Sequence, residues 1–134
     1  MSEKKQGKFY QAIGRRKEAT TTVRLFAGKG ESTVNGAPVS KYFPIDSFQA
    51  KLVLPFRATE TEDKFHFIAR AEGGGKVGQL DAVVLGISRA LVVFNEELRK
   101  PLRAAGLMTR NPREKERKKY FLKKARKRPQ YSKR

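Results

Sequence analysis

The sequence predicts an α+β domain followed by a long, extended basic arm. Three observations predict it. Short segments of strand character, alternating or rich in β-branched residues, fill much of the first seventy residues. One long amphipathic segment follows them: Leu80, Val84, Ile87, Leu91 and Phe94 recur at spacings of 4, 3, 4 and 3 residues. The last 28 residues, 107–134, carry thirteen Lys and Arg against Glu114 and Glu116, which is +11 of the chain's net +18. At 134 residues the chain has the length of one domain. The expected organisation is a flexible N-terminus over 1–7, a globular α+β domain over 8–106 and the arm over 107–134.

Taken in order, Lys8 to Ile13 has the pattern of a short strand holding Phe9 and Tyr10. Gly14-Arg15-Arg16-Lys17 is expected to turn the chain and present three adjacent cations, suited to phosphate contact because arginine can hold a phosphate through two nitrogens. Ala19 to Phe26 is β-branched and alternating, a strand, and Gly28-Lys29-Gly30 turns after it. Ser32 to Val34 leads into Asn35-Gly36, the strongest short hairpin signal in the chain. Pro38 confines the chain after the hairpin turn to an edge position. Asp46 is the expected N-cap of a helix, with Gln49 completing a capping box and Phe48 and Leu52 on one face. Pro55 is expected to stop that helix near Leu54, leaving Ala58 to Asp63 as a polar loop.

Lys64 to Glu72 alternates again, with Phe65, Phe67, Ala69 and Ala71 on one face and His66, Ile68 and Arg70 on the other. His66 is the one histidine and is expected to face solvent or pack beside an aromatic ring. Val83, Ala82 and Ala90 widen the apolar stripe of the long helix, which should lie against the sheet as the core helix, with Arg89 away from it. Asn95 to Ala105 continues as a short helical segment interrupted by Pro101 and closed by Gly106. In the arm, Asn111-Pro112 has the chemistry to cap a short helix through Lys119.

The arm itself has few aliphatic residues, Leu107, Met108, Leu122 and Ala125. Burial cannot offset the entropy of ordering it, and its charges repel one another. It should acquire its shape only against a polyanion. Nucleic acid is favoured over an anionic membrane, because the arm lacks an apolar stripe to enter a bilayer interface. No run of membrane-spanning length and no secretory leader is expected. With no cysteine and a single histidine, disulfides and ordinary zinc sites are excluded. No cofactor is expected, although Gly73, Gly75 and Gly78 satisfy G-x-G-x-x-G between a strand and a helix. A dinucleotide-binding unit needs a second parallel strand after that helix, and the chain runs into the arm instead. The glycines serve either as a sharp strand-to-helix turn or, with Lys76 and the helix N-terminus, as a grip on a backbone phosphate.

Several segments together resemble the bacterial-type family of ninth small-subunit ribosomal proteins: Gly14-Arg-Arg-Lys-Glu-Ala19, Val34-Asn-Gly36, Gly73-Gly-Gly-Lys-Val-Gly-Gln79, Gly86-Ile-Ser-Arg-Ala-Leu91, Leu107-Met-Thr-Arg-Asn-Pro-Arg113, Glu116-Arg-Lys-Lys119, Lys123-Lys-Ala-Arg126 and Ser132-Lys-Arg134. The resemblance implies a four-stranded sheet with helices on one face, like the second domain of the fifth small-subunit protein, with a left-handed crossover. It implies a cytoplasmic, non-catalytic constituent of the small subunit that binds 16S ribosomal RNA in the head. Its neighbours would be the seventh, tenth and fourteenth small-subunit proteins, with no membrane and no homo-oligomer. The arm would thread through RNA toward the peptidyl site, where Lys133 and Arg134, with Arg128 upstream, approach the tRNA anticodon stem-loop. Candidate contacts to ribosomal RNA are Arg15, Arg16, Lys17, Lys76, Arg110, Arg113, Arg117, Lys118, Lys119, Lys123, Lys124, Arg126, Lys127, Arg128 and Tyr131.

Mostly such contacts should read backbone and shape, with arginine and tyrosine stacking on unpaired bases. If extended, the arm reaches roughly 90 to 100 Å at about 3.3–3.6 Å per residue. A free-standing RNA- or DNA-binding or chaperone protein is the alternative that composition leaves open.

Overall fold

Tyr10, Ala12 and Gly14 lie on one side of the first strand, β1 (Phe9–Arg16), because side chains alternate along extended chain. That side faces the core. In the computed structural model, which describes residues 9–110, the strand pairs antiparallel with β2 (Ala19–Ala27), which in turn pairs antiparallel with β5 (Phe65–Glu72). β3 (Thr33–Val34) joins β5 in parallel, and β4 (Ala37–Pro38) closes the edge antiparallel to β3. The sheet is therefore mixed and five-stranded, in the order β1-β2-β5-β3-β4.

The resemblance implied four strands, and the fifth is the second arm of the Asn35-Gly36 hairpin. Asn35 (φ 52°) and Gly36 (φ 82°) both take the left-handed conformation that a two-residue hairpin turn needs, which sets Val34 opposite Ala37. Pro38 has no N–H to extend the ladder, so β4 stops after two residues and stays at the edge. The Asn35 side chain also holds the hairpin to the sheet. Its amide donates to the Ala71 carbonyl at 2.9 Å and accepts from the Ala71 N–H at 2.8 Å.

A four-residue helix, α1 (Val39–Tyr42), leads to α2 (Asp46–Ala58), where three expectations are corrected. Ile45, not Asp46, is the N-cap residue and supplies no side-chain bond; Asp46 opens the helix, where its charge favours the N-terminal dipole. Gln49 bonds to the Phe43 carbonyl at 3.1 Å rather than completing a capping box. Pro55 does not end the helix. It lies in the final turn, where it removes only the bond to the Lys51 carbonyl, and it is buried beside Phe56. The polar loop follows as expected, with Glu60, Glu62 and Asp63 exposed, although Ala58 still belongs to α2. Thr59 and Thr61 are buried within it with hydroxyls 2.7 Å apart, and the Thr59 hydroxyl donates to the Pro55 carbonyl at 3.0 Å.

The long helix is α3 (Lys76–Phe94), and it lies against the sheet as expected, with Leu80, Val83, Ile87 and Leu91 fully buried. Phe94 is half-exposed at the end of the stripe, where it meets Tyr10 and Phe65 edge-on. By length and composition alone α3 is long and apolar enough to span a bilayer, with 19 residues and mean hydropathy 1.7, contrary to the expectation that no such run exists. Most of its apolar side chains are instead committed to the protein core with Val23, Leu25, Phe67, Leu52 and Leu102, while Val77 and Val93 stay exposed. α3 reaches the sheet closely because two glycines meet there. A Cβ on Gly14 would lie 1.8 Å from the Ala82 carbonyl oxygen and 2.6 Å from the Gly86 nitrogen. A 3₁₀ turn (Glu96–Leu98) and α4 (Arg99–Ala104) follow. Pro101 falls in the first turn of α4, where an N–H has no helical partner to lose, so it interrupts nothing. Gly106 (φ 77°) donates to the Arg103 carbonyl and Leu107 to that of Leu102, which closes α4 as a glycine C-terminal cap.

Candidate nucleic-acid interface

The three cations after Gly14 do not share one turn. Arg15 and Arg16 still belong to β1, Arg16 pairs with Ala19, and the turn is Lys17-Glu18 alone. Gly14 is there for the helix contact, a reason that local sequence does not show. Arg15 and Arg16 therefore leave the strand on opposite faces. Arg16 turns toward α3, where a guanidinium nitrogen sits 3.1 Å from the Asp81 carboxylate, both side chains mostly shielded. Lys51 of α2 approaches the other oxygen of that carboxylate at 4.0 Å. Lys17 (φ 53°) and Arg15 are exposed.

Folding also brings Arg110 to this place. A cleft of about 450 Å³ is lined by Arg15, Arg16, Asp81, Leu107, Thr109 and Arg110 among others. Three guanidinium groups stand there against one carboxylate, and the Arg16 Nε is buried without a hydrogen-bond partner among the described residues. Beyond Arg110 the chain continues into the basic arm, so the root of the arm and the cations of β1 form one positive locus. Such a locus suits phosphate oxygens, which accept from several guanidinium N–H groups at once.

Lys76 is committed in part to the fold. Its ammonium lies 3.3 Å from the centroid of the Tyr42 ring and donates to the Tyr42 carbonyl at 3.3 Å. The Tyr42 hydroxyl donates to the Gln79 side chain and accepts from Asn35, while Gln79 donates to the Gly73 carbonyl at 3.0 Å. Gly73 (φ 73°) and Gly74 (φ 59°) pack on the Glu18-Ala19 backbone, and a Cβ on Gly73 would come within 2.7 Å of the Glu18 carbonyl. Of the two readings of this glycine run, the sharp turn accounts for these two residues. No strand follows α3 among the described residues, so the dinucleotide crevice is not formed there. His66 packs beside an aromatic ring, as expected: it stacks on Phe26 with centroids 5.4 Å apart, and its Nδ1 lies 3.1 Å from the Gly28 carbonyl.

Arg113, Arg117, Lys118, Lys119, Lys123, Lys124, Arg126, Lys127, Arg128, Tyr131, Lys133 and Arg134 lie outside the described residues, as does the Asn111-Pro112 cap. Three further arginines were not among the candidate contacts. Arg89 reaches from α3 to donate to the Ile13 carbonyl at 2.7 Å, blunting the free edge of β1. Arg24 and Arg70 lie on the sheet face turned away from the helices, and only the strand register brings them together. Alternation along Lys64 to Glu72 already puts Arg70 on that side, and the same count along Ala19 to Phe26 puts Arg24 there. The model of the family described as ribosomal protein S9/S16 matches residues 14–134, from the glycine seated against α3 through the whole of the arm, and the chain belongs to that family.

Proposed function

We propose that this chain is the bacterial-type ninth protein of the small ribosomal subunit, anchored in the head on 16S ribosomal RNA, with its arm extended to the peptidyl-site tRNA. Family membership supplies the coarser part: a ribosomal, ribosomal-RNA-binding structural protein of the cytoplasmic small subunit, in a family that is generally not enzymatic. The observation that carries the finer reading is the clustering of Arg15, Arg16 and Arg110 where the +11 arm begins. A folded domain that clamps phosphate at that point aims the arm along RNA. Arm cations then replace counterions as they follow the backbone. In this reading Arg113 to Tyr131 track ribosomal RNA, while Lys133 and Arg134, with Arg128, meet the anticodon stem-loop, and the seventh, tenth and fourteenth small-subunit proteins are neighbours.

Two measurements test it. The full chain should sediment with small subunits through moderate salt; recovery only in the soluble fraction would favour a free-standing nucleic-acid-binding protein. Deleting Lys133 and Arg134 should leave assembly nearly intact and speed tRNA release from the peptidyl site, at about 1 kcal/mol per exposed contact. Unchanged tRNA off-rates would remove those two residues from the site.

A further inference from the structure

One face of the sheet is covered by α2 and α3. On the other, the register places Phe9, Phe26 and His66 in a row across β1, β2 and β5. The Phe9 and Phe26 rings are 5.7 Å apart, and Phe26 and His66 stack at 5.4 Å and 15°. The Arg24 guanidinium lies 5.1 Å from the centre of the Phe9 ring and continues the platform into the next row. The Gly28-Gly30 turn lies against the His66 ring and Phe26 is buried between its neighbours, but no helix among the described residues packs over this face, and Phe9, Ile13 and Ile68 are 38, 44 and 37% exposed. Arg15, Arg24 and Arg70 are exposed there against the single carboxylate of Glu72, which pairs with Arg70 at 3.5 Å.

We infer that this face is a second RNA-binding surface, which stacks unpaired bases on the exposed Phe9 ring, backed by Phe26, and holds the adjoining phosphates with Arg24. An exposed apolar patch edged by charge marks an interaction surface. The excess of arginine selects a polyanion over an apolar protein partner, and rings joined to guanidinium planes are the surface on which single-stranded bases stack. The inference rests on the ribosomal-RNA-binding reading but adds a contact of a different kind. The arm and its root hold phosphates, whereas the sheet face distinguishes unpaired from paired RNA.

The test uses the full chain carrying Phe9→Leu together with Arg24→Gln, which keeps apolar bulk but removes the ring and the charge. Affinity for a fluorescent oligouridylate single strand should fall about fivefold or more. Affinity for an RNA duplex of the same length should change by less than about twofold, because the arm supplies that binding. An equal loss on both probes, or no loss on either, overturns the proposal. Ultraviolet crosslinking of the unmodified chain in reconstituted small subunits needs no variant that folds, and mass spectrometry should find RNA adducts at Phe9 or His66. Adducts confined to 107–134, or another protein crosslinked across this face, would overturn the sheet surface while leaving the ribosomal reading intact. A chain that does not sediment with small subunits would overturn both.

Discussion

Gly14 and Gly86 set the distance between the long helix and the sheet. The ideal Cβ of Gly14 meets backbone, 1.8 Å from the Ala82 oxygen, while that of Gly86 meets the Val23 Cγ2 at 2.6 Å. Backbone in the middle of α3 can yield only if the whole helix moves, and that would disturb the fully buried Leu80, Val83 and Ile87. Gly14→Ala is therefore expected to cost about 3 kcal/mol or more, at the upper end of overpacking effects. Gly86→Ala presses on a side chain and should cost less, about 1 to 3 kcal/mol. Urea midpoints of the two variants check the ranking; a Gly14→Ala protein as stable as the parent would mean that α3 does not sit this close. The same contact has a functional consequence, because Arg15 and Arg16 follow Gly14 directly. A shift of β1 under α3 would displace Arg16 from Asp81 and open the locus at the root of the arm.

At the scale of elements, the Asn35-Gly36 hairpin does two things. Its turn sets the two-residue pairing of β3 with β4, and its asparagine side chain continues the ladder to Ala71 on β5. Asn35→Gly keeps the left-handed backbone and loses three side-chain hydrogen bonds, two to Ala71 and an exposed one to the Tyr42 hydroxyl, an expected cost of about 1 to 2 kcal/mol. Asn35→Ala loses the same bonds and adds about 1 kcal/mol of left-handed strain. Denaturation curves for both variants separate the two effects, and equal stability in all three proteins would sink the anchor. The turn was legible in two letters of sequence, because it is local chemistry. The link to Ala71 was not, because its partner is 36 residues away. The other elements divide the same way. β2, β5 and α3 were readable because periods of 2 and 3.6 repeat within one window. β4, with two residues, is too short to show a period. Pro55 misled because its cost depends on where in the helix it falls and what buries it. Gly14 resembled a turn residue because its real partner, Gly86, lies on a distant helix.

Over the whole molecule, charge and apolar surface are segregated. The folded domain holds the apolar core, and the arm holds +11 of the +18. The boundary between them is not at Gly106 in energetic terms. Leu107 donates to the Leu102 carbonyl, and Leu107 and Met108 pack against the core, so the domain needs these residues. A truncation that tests the arm should therefore end after Arg110. It removes twelve Lys and Arg with Glu114 and Glu116, and it leaves Arg15, Arg16 and Arg110 in place. Thermal stability of the shortened chain should stay close to that of the parent. Affinity for RNA should drop, and the dependence of log affinity on log salt should flatten by about 0.7 to 0.9 for each phosphate the chain no longer neutralises. If half of the removed cations touch phosphate, the slope falls by roughly 4 to 5. Weaker binding with an unchanged slope would mean that the arm acts through something other than counterion release. An unchanged affinity and slope would mean that the domain alone binds RNA, and the arm's charge would need another explanation.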